Sequence, residues 1–319
     1  MTIMYTSLFR GSGAEPVEAT EHFALAIRHV NNSLSSRSVP SDSTVMVIVS
    51  LLVHANLTLS LEQARVHLDG LQLILSLRPG GLEALHTRHP MLTQKICRAD
   101  IEVALVHGTA TRFGRESSIF SLEMLPFTAG GVPKLPDPLL NLCPLLQRLT
   151  ICLLAVCRLC EAGVKLRPST FQEIYISAMQ QLLDFAPLRG PRLSDPDHMW
   201  QLGLLCFVTT GLYSSGMPLQ SIYGGLLVKL LRGALEATEH ARVGNEMSIL
   251  RLWLLVMYGV RALTEDERSW IATHIIRLAE NLELNSWEEA RRALRDYPWI
   301  GMIHDGLGRE LWETVSPAG

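Results

Sequence analysis

Apolar residues recur at steps of three and four along most of this chain, a spacing that places them on one face of an α-helix. The segment after Ser60 has the pattern at five positions: Leu61, Ala64, Leu68, Leu71 and Leu75. The most β-branched run, Val45–Val53, is too continuous for a half-exposed strand and predicts a buried core helix. This periodicity predicts an all-α fold with little or no β structure.

Four predicted helix starts carry a capping box, in which a Ser or Thr accepts a backbone N–H and a Glu or Gln three residues later reaches back. The boxes are Ser60 with Gln63, Ser169 with Gln172, Thr264 with Glu267, and Ser286 with Glu289. Each box fixes where a helix begins. The helix after Ser60 is expected to end near Arg78, because Pro79-Gly80-Gly81 cannot continue it.

Together these signals predict a single large irregular domain of about 12 helices, near 17–35, 42–58, 60–78, 91–110, 138–162, 169–186, 196–215, 219–238, 246–263, 265–283, 286–295 and 299–314. Stretches 111–138 and 186–198 are rich in Gly and Pro and predict long loops. The helices around them keep apolar faces that need a partner, which favours one body over two. We expect an N-terminal segment with the first helix over 1–40 and the helical domain over 41–319.

Composition excludes several classes of protein. Of 319 residues, 48% are hydrophobic and 18% charged, which excludes a disordered chain or a collagen. A net charge of −3 gives no bulk attraction to nucleic acid or to an anionic membrane. The N-terminus has no basic segment followed by an apolar stretch, so no signal peptide is predicted and the chain is expected to stay inside the cell.

The cysteines were considered as metal ligands. Cys152, Cys157 and Cys160 form the densest group, and a C-x-x-C pair can bind zinc or undergo redox chemistry. A structural zinc site needs four ligands, and no second pair with suitable spacing is present. The group lies in an apolar helical pattern, so we expect reduced, mostly buried side chains and no metal.

Catalytic motifs are equally weak. His86 and His89 with Glu83 resemble one half of a carboxylate-bridged metal site, but two solvated histidines in a loop are favoured. The segment Gly211–Gly216 lacks the spacing of a nucleophile elbow, and Asp195-Pro-Asp197-His198 is favoured as a surface turn. No catalytic residue, cofactor or metal site is therefore predicted, and the chain is not expected to be an enzyme.

All six tryptophans lie in the last 120 positions: Trp200, Trp253, Trp270, Trp287, Trp299 and Trp312. Concentrated aromatic side chains occur at interfaces and ligand cavities as well as between packed helices. Helix–helix packing is the favoured interpretation, and a ligand cavity remains the alternative.

Three sequence blocks contain motif residues in a defined order. The first reads A-x-x-H-x-x-G-L from Ala64 and then R-x-G-G, containing His67, Gly70, Arg78, Gly80 and Gly81. The second has an arginine and an aspartate two apart before an aromatic residue: Arg98, Asp100 and Phe113. The third has W-I, H-D and L-W pairs, containing Trp299, His304 and Trp312. Taken together, the three blocks resemble the regulatory domain of fungal binuclear zinc-cluster transcription factors.

Most of these motif residues are expected to support the fold. Gly70 falls on the packing side of its helix, where a missing Cβ would allow a neighbouring helix to approach. Arg78 is a cation at a helix C-terminus, where it complements the helix dipole. Arg98 and Asp100 cannot face each other at a two-residue step, so each is expected to have a different partner.

The resemblance implies a nuclear, all-α regulatory domain whose partners are other transcription regulators or a second copy of the chain, with a small-molecule effector as a further candidate. The family's DNA-binding head needs six clustered cysteines, and no cysteine precedes Cys97. We therefore expect no direct reading of DNA by this chain, which is either a piece of a longer regulator or a headless relative. The alternative is a helical enzyme or carrier of an apolar small molecule on the same scaffold.

Overall fold

A computed structural model describes residues 17–35, 39–58, 60–114, 132–210, 225–238, 244–260 and 265–315. Within these ranges the chain is helical and contains no strand, which confirms the predicted all-α fold. The α-helices are α1 (Val17–Ser35), α2 (Asp42–Leu57), α3 (Leu61–Ser76), α4 (Gly81–Arg88), α5 (Pro90–His107), α6 (Pro144–Glu161), α7 (Pro168–Phe185), α8 (Asp195–Thr210), α9 (Gly225–Ala237), α10 (Asn245–Gly259), α11 (Glu265–Asn281), α12 (Trp287–Ala293) and α13 (Gly301–Val315). Short 3-10 turns cover Asp137–Leu139 and Leu294–Asp296.

Contacts within the chain divide it into two compact units. The first unit comprises residues 1–120 and 183–187, and the second comprises 121–182 and 188–319. Two of the boundaries, after 120 and after 187, fall in the predicted loops 111–138 and 186–198. The boundary between 182 and 183 falls within α7.

In the first unit, α2 is the central helix. It contacts α1, α3 and α5, and α4 packs against α5. The run Val45–Val53 lies in α2 and supplies buried side chains including Val45, Leu51 and Leu52, as its continuous apolar character predicts. Helix α3 packs against α2 and buries Leu68 and Leu71, the residues that the three- and four-residue spacing places on its buried face.

In the second unit, α8 and α10 are largely buried. Helix α8 contacts α6, α9 and α10, and α10 also contacts α11 and α13. Every side chain of α8 from Met199 to Thr210 is buried. The indole rings of Trp200 and Trp253 lie 4.7 Å apart between these helices. The favoured interpretation of the tryptophans as helix-packing residues is thus confirmed for these two.

Helix α4 differs from the prediction, which places His86 and His89 in a loop. Gly80 and Gly81 have φ of 71° and 48°, in the left-handed region that favours glycine, and the chain then begins a new helix at once. Eight residues are too few to give a clear periodic pattern. His86 therefore lies on α4, and His89 is the residue between α4 and α5.

The capping boxes have mixed outcomes. Ser286 accepts the N–H of Glu289 at 3.2 Å, and the Glu289 carboxylate accepts the N–H of Asn285 at 2.7 Å, so this box forms. Ser60 begins α3 as predicted, but its side chain makes no capping bond to the described residues. Ser169 lies inside the first turn of α7, because that helix begins one residue earlier, at Pro168. Thr264 and the segment Gly211–Gly216 lie outside the described residues.

Two further helix starts were not recognised in the sequence. Ser41 caps α2 by accepting the N–H of Thr44 at 3.2 Å. Asp195-Pro-Asp197 forms the first turn of α8, where the prediction has a surface turn. The cause is that proline is tolerated in the first helical turn and acidic side chains there complement the helix dipole.

The prediction that the cysteine side chains are mostly buried is confirmed within the described residues. All six cysteines are free. Cys152, Cys157 and Cys160 lie on α6, the first two buried and the third half-buried. No described helix has both the length and the apolar character required to cross a membrane.

Candidate functional site

A pocket of about 190 Å³ lies in the second unit among α8, α10 and the 3-10 turn before α6. We call it the Met–Trp pocket. Its lining residues are Pro138, Leu139, Leu142, Asp195, Pro196, Met199, Trp200, Thr238, Met247, Leu250 and Arg251. Most of these side chains are apolar, and both methionines can adjust their shape to a ligand because the side chain is unbranched and flexible.

The N-terminus of α8 holds two walls of the pocket together. The Asp197 carboxylate accepts the backbone N–H of Cys143, just before α6, at 2.8 Å. Its second oxygen accepts the hydroxyl of Ser194 at 2.8 Å. These bonds fix the Pro138–Leu142 segment beside the first turn of α8, so that Pro196 and Met199 face it across the pocket.

Trp200 contributes an apolar surface because its only polar atom is already bonded. The indole N–H donates to the Thr150 hydroxyl at 2.8 Å, and that hydroxyl donates to the Leu146 carbonyl at 2.7 Å. Both bonds are buried. The ring is therefore fixed in orientation, and it offers a bound molecule van der Waals contact rather than a hydrogen bond.

Three polar side chains line the pocket: Thr238, Arg251 and Asp195. The Arg251 guanidinium donates to the backbone carbonyl of Thr238, just after α9. The Thr238 hydroxyl donates to the carbonyls of Ala234 and Leu235 at 3.2 and 3.1 Å. The Asp195 carboxylate pairs with the exposed Arg192 at 2.9 Å. An apolar cavity of this size accommodates a molecule of about one small ring, and Arg251 favours one with an acceptor atom at one end.

The C-terminal motif block lies elsewhere in the second unit. The backbone N–H of Trp299 donates to Cys157 Sγ at 3.2 Å, and its indole N–H donates to Asp305 Oδ1 at 2.7 Å. The Arg291 guanidinium lies 4.8 Å from the centre of the Trp299 ring and pairs with Asp305 at 3.1 Å. Trp312 is also buried. These contacts join α6, α12 and α13.

His304 is fully buried and acts as a neutral hydrogen-bonding group. Its Nδ1 accepts the backbone N–H of Ile300 at 3.0 Å, and Nε2 lies 2.7 Å from the Thr210 hydroxyl. That hydroxyl also donates to the Phe207 carbonyl at 2.6 Å, so both ring nitrogens have a hydrogen-bond partner while the ring is neutral. Burial lowers the pKa of His304 to about 4, so the ring is uncharged at neutral pH.

In the first unit, Asp100 and Phe113 are brought together. The buried carboxylate of Asp100 accepts the backbone N–H of Phe113 at 2.9 Å and that of Arg112 at 2.8 Å. Burial raises the pKa of Asp100 to about 7. Phe113 is buried, so the pair fixes the end of the segment after α5. Arg98 lies half-buried on the same helix as Asp100.

Arg78 has a specific partner that the sequence does not reveal. Its guanidinium donates to Asp42 in the first turn of α2, and Asp42 also pairs with Arg88 at 3.3 Å and with His89 at 3.1 Å. Burial alone would raise the pKa of Asp42, but the hydrogen bonds from Arg88 and Arg78 outweigh it and hold the pKa below its usual value. Arg78 thus links the end of α3 to the start of α2.

Gly70 does not have the predicted role. A Cβ added there would meet no atom within 4 Å, so no neighbouring helix approaches closely at this position. Gly70 lies half-buried, one step off the buried stripe of α3. His67, also half-buried, lines an open pocket of about 280 Å³ with Phe23 and Val66. Burial lowers the pKa of His67.

The motif residues are thus divided between the units. Eight lie in the first unit: His67, Gly70, Arg78, Gly80, Gly81, Arg98, Asp100 and Phe113. Three lie in the second: Trp299, His304 and Trp312. Trp200 belongs to the tryptophan-rich half, and Asp195 and Pro196 belong to the acidic segment that the sequence favours as a surface turn. No sequence signal connects these residues with the rest of the Met–Trp pocket, because they come from separate elements.

Within the described ranges, no group of three or more His, Cys, Asp or Glu side chains is arranged to hold a metal ion. No protein-family model, curated protein or solved structure matches this chain.

Proposed function

We propose that this chain is a regulatory domain of a transcription regulator, resident in the nucleus, that responds to a small apolar effector and acts through protein contacts. The observation that carries the proposal is the Met–Trp pocket, an apolar cavity with a rigid indole wall, two adaptable methionines and a guanidinium at one side. The resemblance of the three motif blocks to fungal zinc-cluster regulators supports the regulatory role.

A ligand-binding experiment tests the effector site. Purified chain is screened by thermal denaturation against single-ring compounds with and without a carboxylate, and native mass spectrometry identifies any retained molecule. A ligand that binds the folded state raises the melting temperature. Met247→Trp, which fills the pocket from its half-buried rim, is expected to abolish this rise.

Met302→Trp is the matched control, because Met302 lies in the same unit and is 91% exposed. It is expected to keep the ligand-induced rise. A rise that persists in Met247→Trp, or the absence of any stabilising compound, would count against the pocket as the effector site.

A reporter experiment tests the regulatory role. The chain is fused to an unrelated DNA-binding domain, and reporter transcription is measured with and without the compound that stabilises it. We expect the compound to change the transcription level in the wild-type fusion and not in the Met247→Trp fusion. An unchanged level in the wild type would contradict the regulatory proposal.

The partners proposed are other transcription regulators or a second copy of this chain, with DNA reached only through them. Light scattering on the purified chain measures its oligomeric state. A gel-shift experiment with promoter duplexes is expected to show no sequence-specific complex with the chain alone. A tight, specific shift would contradict this part of the proposal.

The second candidate function, a carrier or helical enzyme for an apolar small molecule, rests on the same pocket. Its apolar lining would suit cargo as well as an effector. Stoichiometric ligand retention in the purified chain, together with a reporter that does not respond, would favour the carrier. Conversion of the retained molecule by the chain would favour an enzyme.

A further inference from the structure

A second open cavity, of about 320 Å³, lies in the first unit between the N-terminal halves of α2 and α5. We call it the α2–α5 groove. Its lining residues are Met46, Val49, Ser50, Arg88, His89, Pro90, Met91, Leu92 and Lys95. Val49 and Leu92 are buried and form its floor.

Two methionines on opposite sides of the groove are exposed. Met46 on α2 has 50% of its surface accessible, and Met91 on α5 has 60%. Exposed methionines around an apolar floor can adapt to apolar side chains of different shapes. The groove therefore offers two adjacent contacts to one apolar face of a partner.

The charge of the groove has one sign. Arg88 and Lys95 are both exposed, His89 lies between them in sequence, and none of the nine lining residues is acidic. Asp42 lies beside the groove, but it is held by Arg78 and shared with Arg88 and His89. A single carboxylate does not neutralise Arg78, Arg88 and Lys95.

Asp42 also holds the side chains of Arg88 and His89 in position. Its Oδ2 lies 3.3 Å from Arg88 Nε and 3.1 Å from His89 Nε2. A side chain that is already held loses less conformational entropy when it meets a ligand. The cationic side of the groove is thus partly organised before a partner binds.

We propose that the α2–α5 groove binds an acidic amphipathic helical segment of a partner protein. Apolar side chains one helical turn apart contact Met46 and Met91 over the Val49–Leu92 floor, and flanking carboxylates pair with Arg88 and Lys95. The charge complementarity selects an acidic partner over a neutral or basic one. This inference deepens the proposed regulatory function by naming one class of protein contact, and it does not depend on the Met–Trp pocket.

Fluorescence anisotropy with the full chain tests the proposal. The probe is a fluorescein-labelled peptide of about 15 residues with Leu and Phe at i, i+3, i+4 and i+7 and with Asp and Glu between them. The matched peptide has Asn and Gln in place of the acids. We expect saturable binding of the acidic peptide, weakened by added salt, and binding of the neutral peptide weaker by about tenfold or more.

Three groove variants and one control locate the binding site. Lys95→Glu is expected to weaken acidic-peptide binding by about tenfold, whereas Lys165→Glu, the same charge change at an exposed lysine of the second unit, leaves it within about twofold. Met46→Ser and Met91→Ser, on the two sides of the groove, are each expected to weaken it by about fivefold or more. Thermal denaturation checks that each variant is folded, as we expect from the exposure of all three groove positions.

Several results would overturn the inference. These are no binding of the acidic peptide, equal binding of the neutral peptide, or equal effects of Lys95→Glu and Lys165→Glu. Self-association of the chain that is lost in both methionine variants would assign the groove to a second copy instead. If the acidic peptide binds but reporter transcription does not respond to the stabilising compound, only the proposed function is contradicted. If the reporter responds but the acidic peptide does not bind, only the α2–α5 groove is contradicted.

Discussion

Gly70 shows how a motif residue can be misinterpreted from one sequence. It lies between two buried leucines of α3, Leu68 and Leu71, yet its own position opens to unoccupied space. Glycine inside a helix lowers stability because the unfolded chain gains conformational freedom and no side chain packs in the folded one. The contact that glycine is expected to permit does not exist here.

Gly70→Ala is therefore expected to stabilise the chain, by about 0.5 to 1 kcal/mol. Urea denaturation followed by circular dichroism measures the change in the free energy of unfolding. A loss of stability would mean that a close helix approach at this position exists after all.

His304 predicts a dependence of stability on pH. Its pKa in the folded chain is about 4, mainly because of burial, against an ordinary value of 6.5. Between these values the unfolded chain binds more protons than the folded one. The contribution of His304 to the free energy of unfolding is therefore fully present above pH 6.5. About 3 kcal/mol of it is lost as the pH falls from 6.5 to about 4.

His304→Gln isolates this contribution, because glutamine keeps a neutral hydrogen-bonding group at the position. We expect the free energy of unfolding of the variant, relative to that of the wild type, to rise by about 3 kcal/mol as the pH falls from 6.5 to 4, measured by urea denaturation at each pH. The same dependence of the free energy of unfolding on pH in both proteins would contradict a neutral, buried His304. His67, His198 and Asp42, whose pKa values are lowered, and Asp100, whose raised pKa adds stability as the pH falls, contribute equally to both proteins.

At the scale of the helix, the capping boxes show that the sequence pattern can occur without the capping hydrogen bond that it predicts. Ser286 and Ser60 both stand one residue before a helix, each with a Glu or Gln three residues later. Only Ser286 accepts a bond from its helix. The Ser60 hydroxyl instead lies 3.3 Å from that of Thr58, whose nearest acceptor is the His54 carbonyl at 2.9 Å.

Ser286→Ala is expected to cost about 1 kcal/mol of stability, in the range of a lost helix cap, and Ser60→Ala clearly less. The free energy of unfolding of both variants, measured side by side, checks the difference. Equal losses would mean that the Ser60 box also forms in solution.

The start of α8 and the whole of α4 show why helix boundaries are hard to place. Asp195-Pro-Asp197 has the composition of a turn, and it becomes a helical turn because Ser194 and Cys143 both bond to Asp197. Cys143 lies 54 residues away in the sequence, so no local pattern could show that contact. Helix α4 is short and starts at a glycine, so its two buried leucines, Leu82 and Leu85, give too few repeats to be recognised.

At the scale of the whole molecule, burial determines the chemistry of the cysteines. Cys97, Cys152, Cys157 and Cys206 are buried, and Cys143 and Cys160 are half-buried. Burial raises the pKa of Cys157 strongly and that of Cys160 as well, which disfavours the reactive thiolate in both.

Alkylation of the native chain is accordingly expected to modify Cys143 and Cys160 first, and the four buried thiols only after unfolding. Iodoacetamide labelling followed by peptide mass spectrometry, with and without denaturant, measures this order. Early labelling of Cys152 or Cys157 would show that α6 is less protected than its packing indicates.

The sequence by itself determines the all-α class, most helix positions and the buried faces, because these depend on spacing within a few residues. It also places Asp100 and His304 among the structural motif residues, but not their partners. Trp299 meets Cys157 from 142 residues away, and the Met–Trp pocket and the α2–α5 groove each join separate helices. Such sites exist only once the helices have packed, since the cavity and its charge arise from side chains that no local pattern connects.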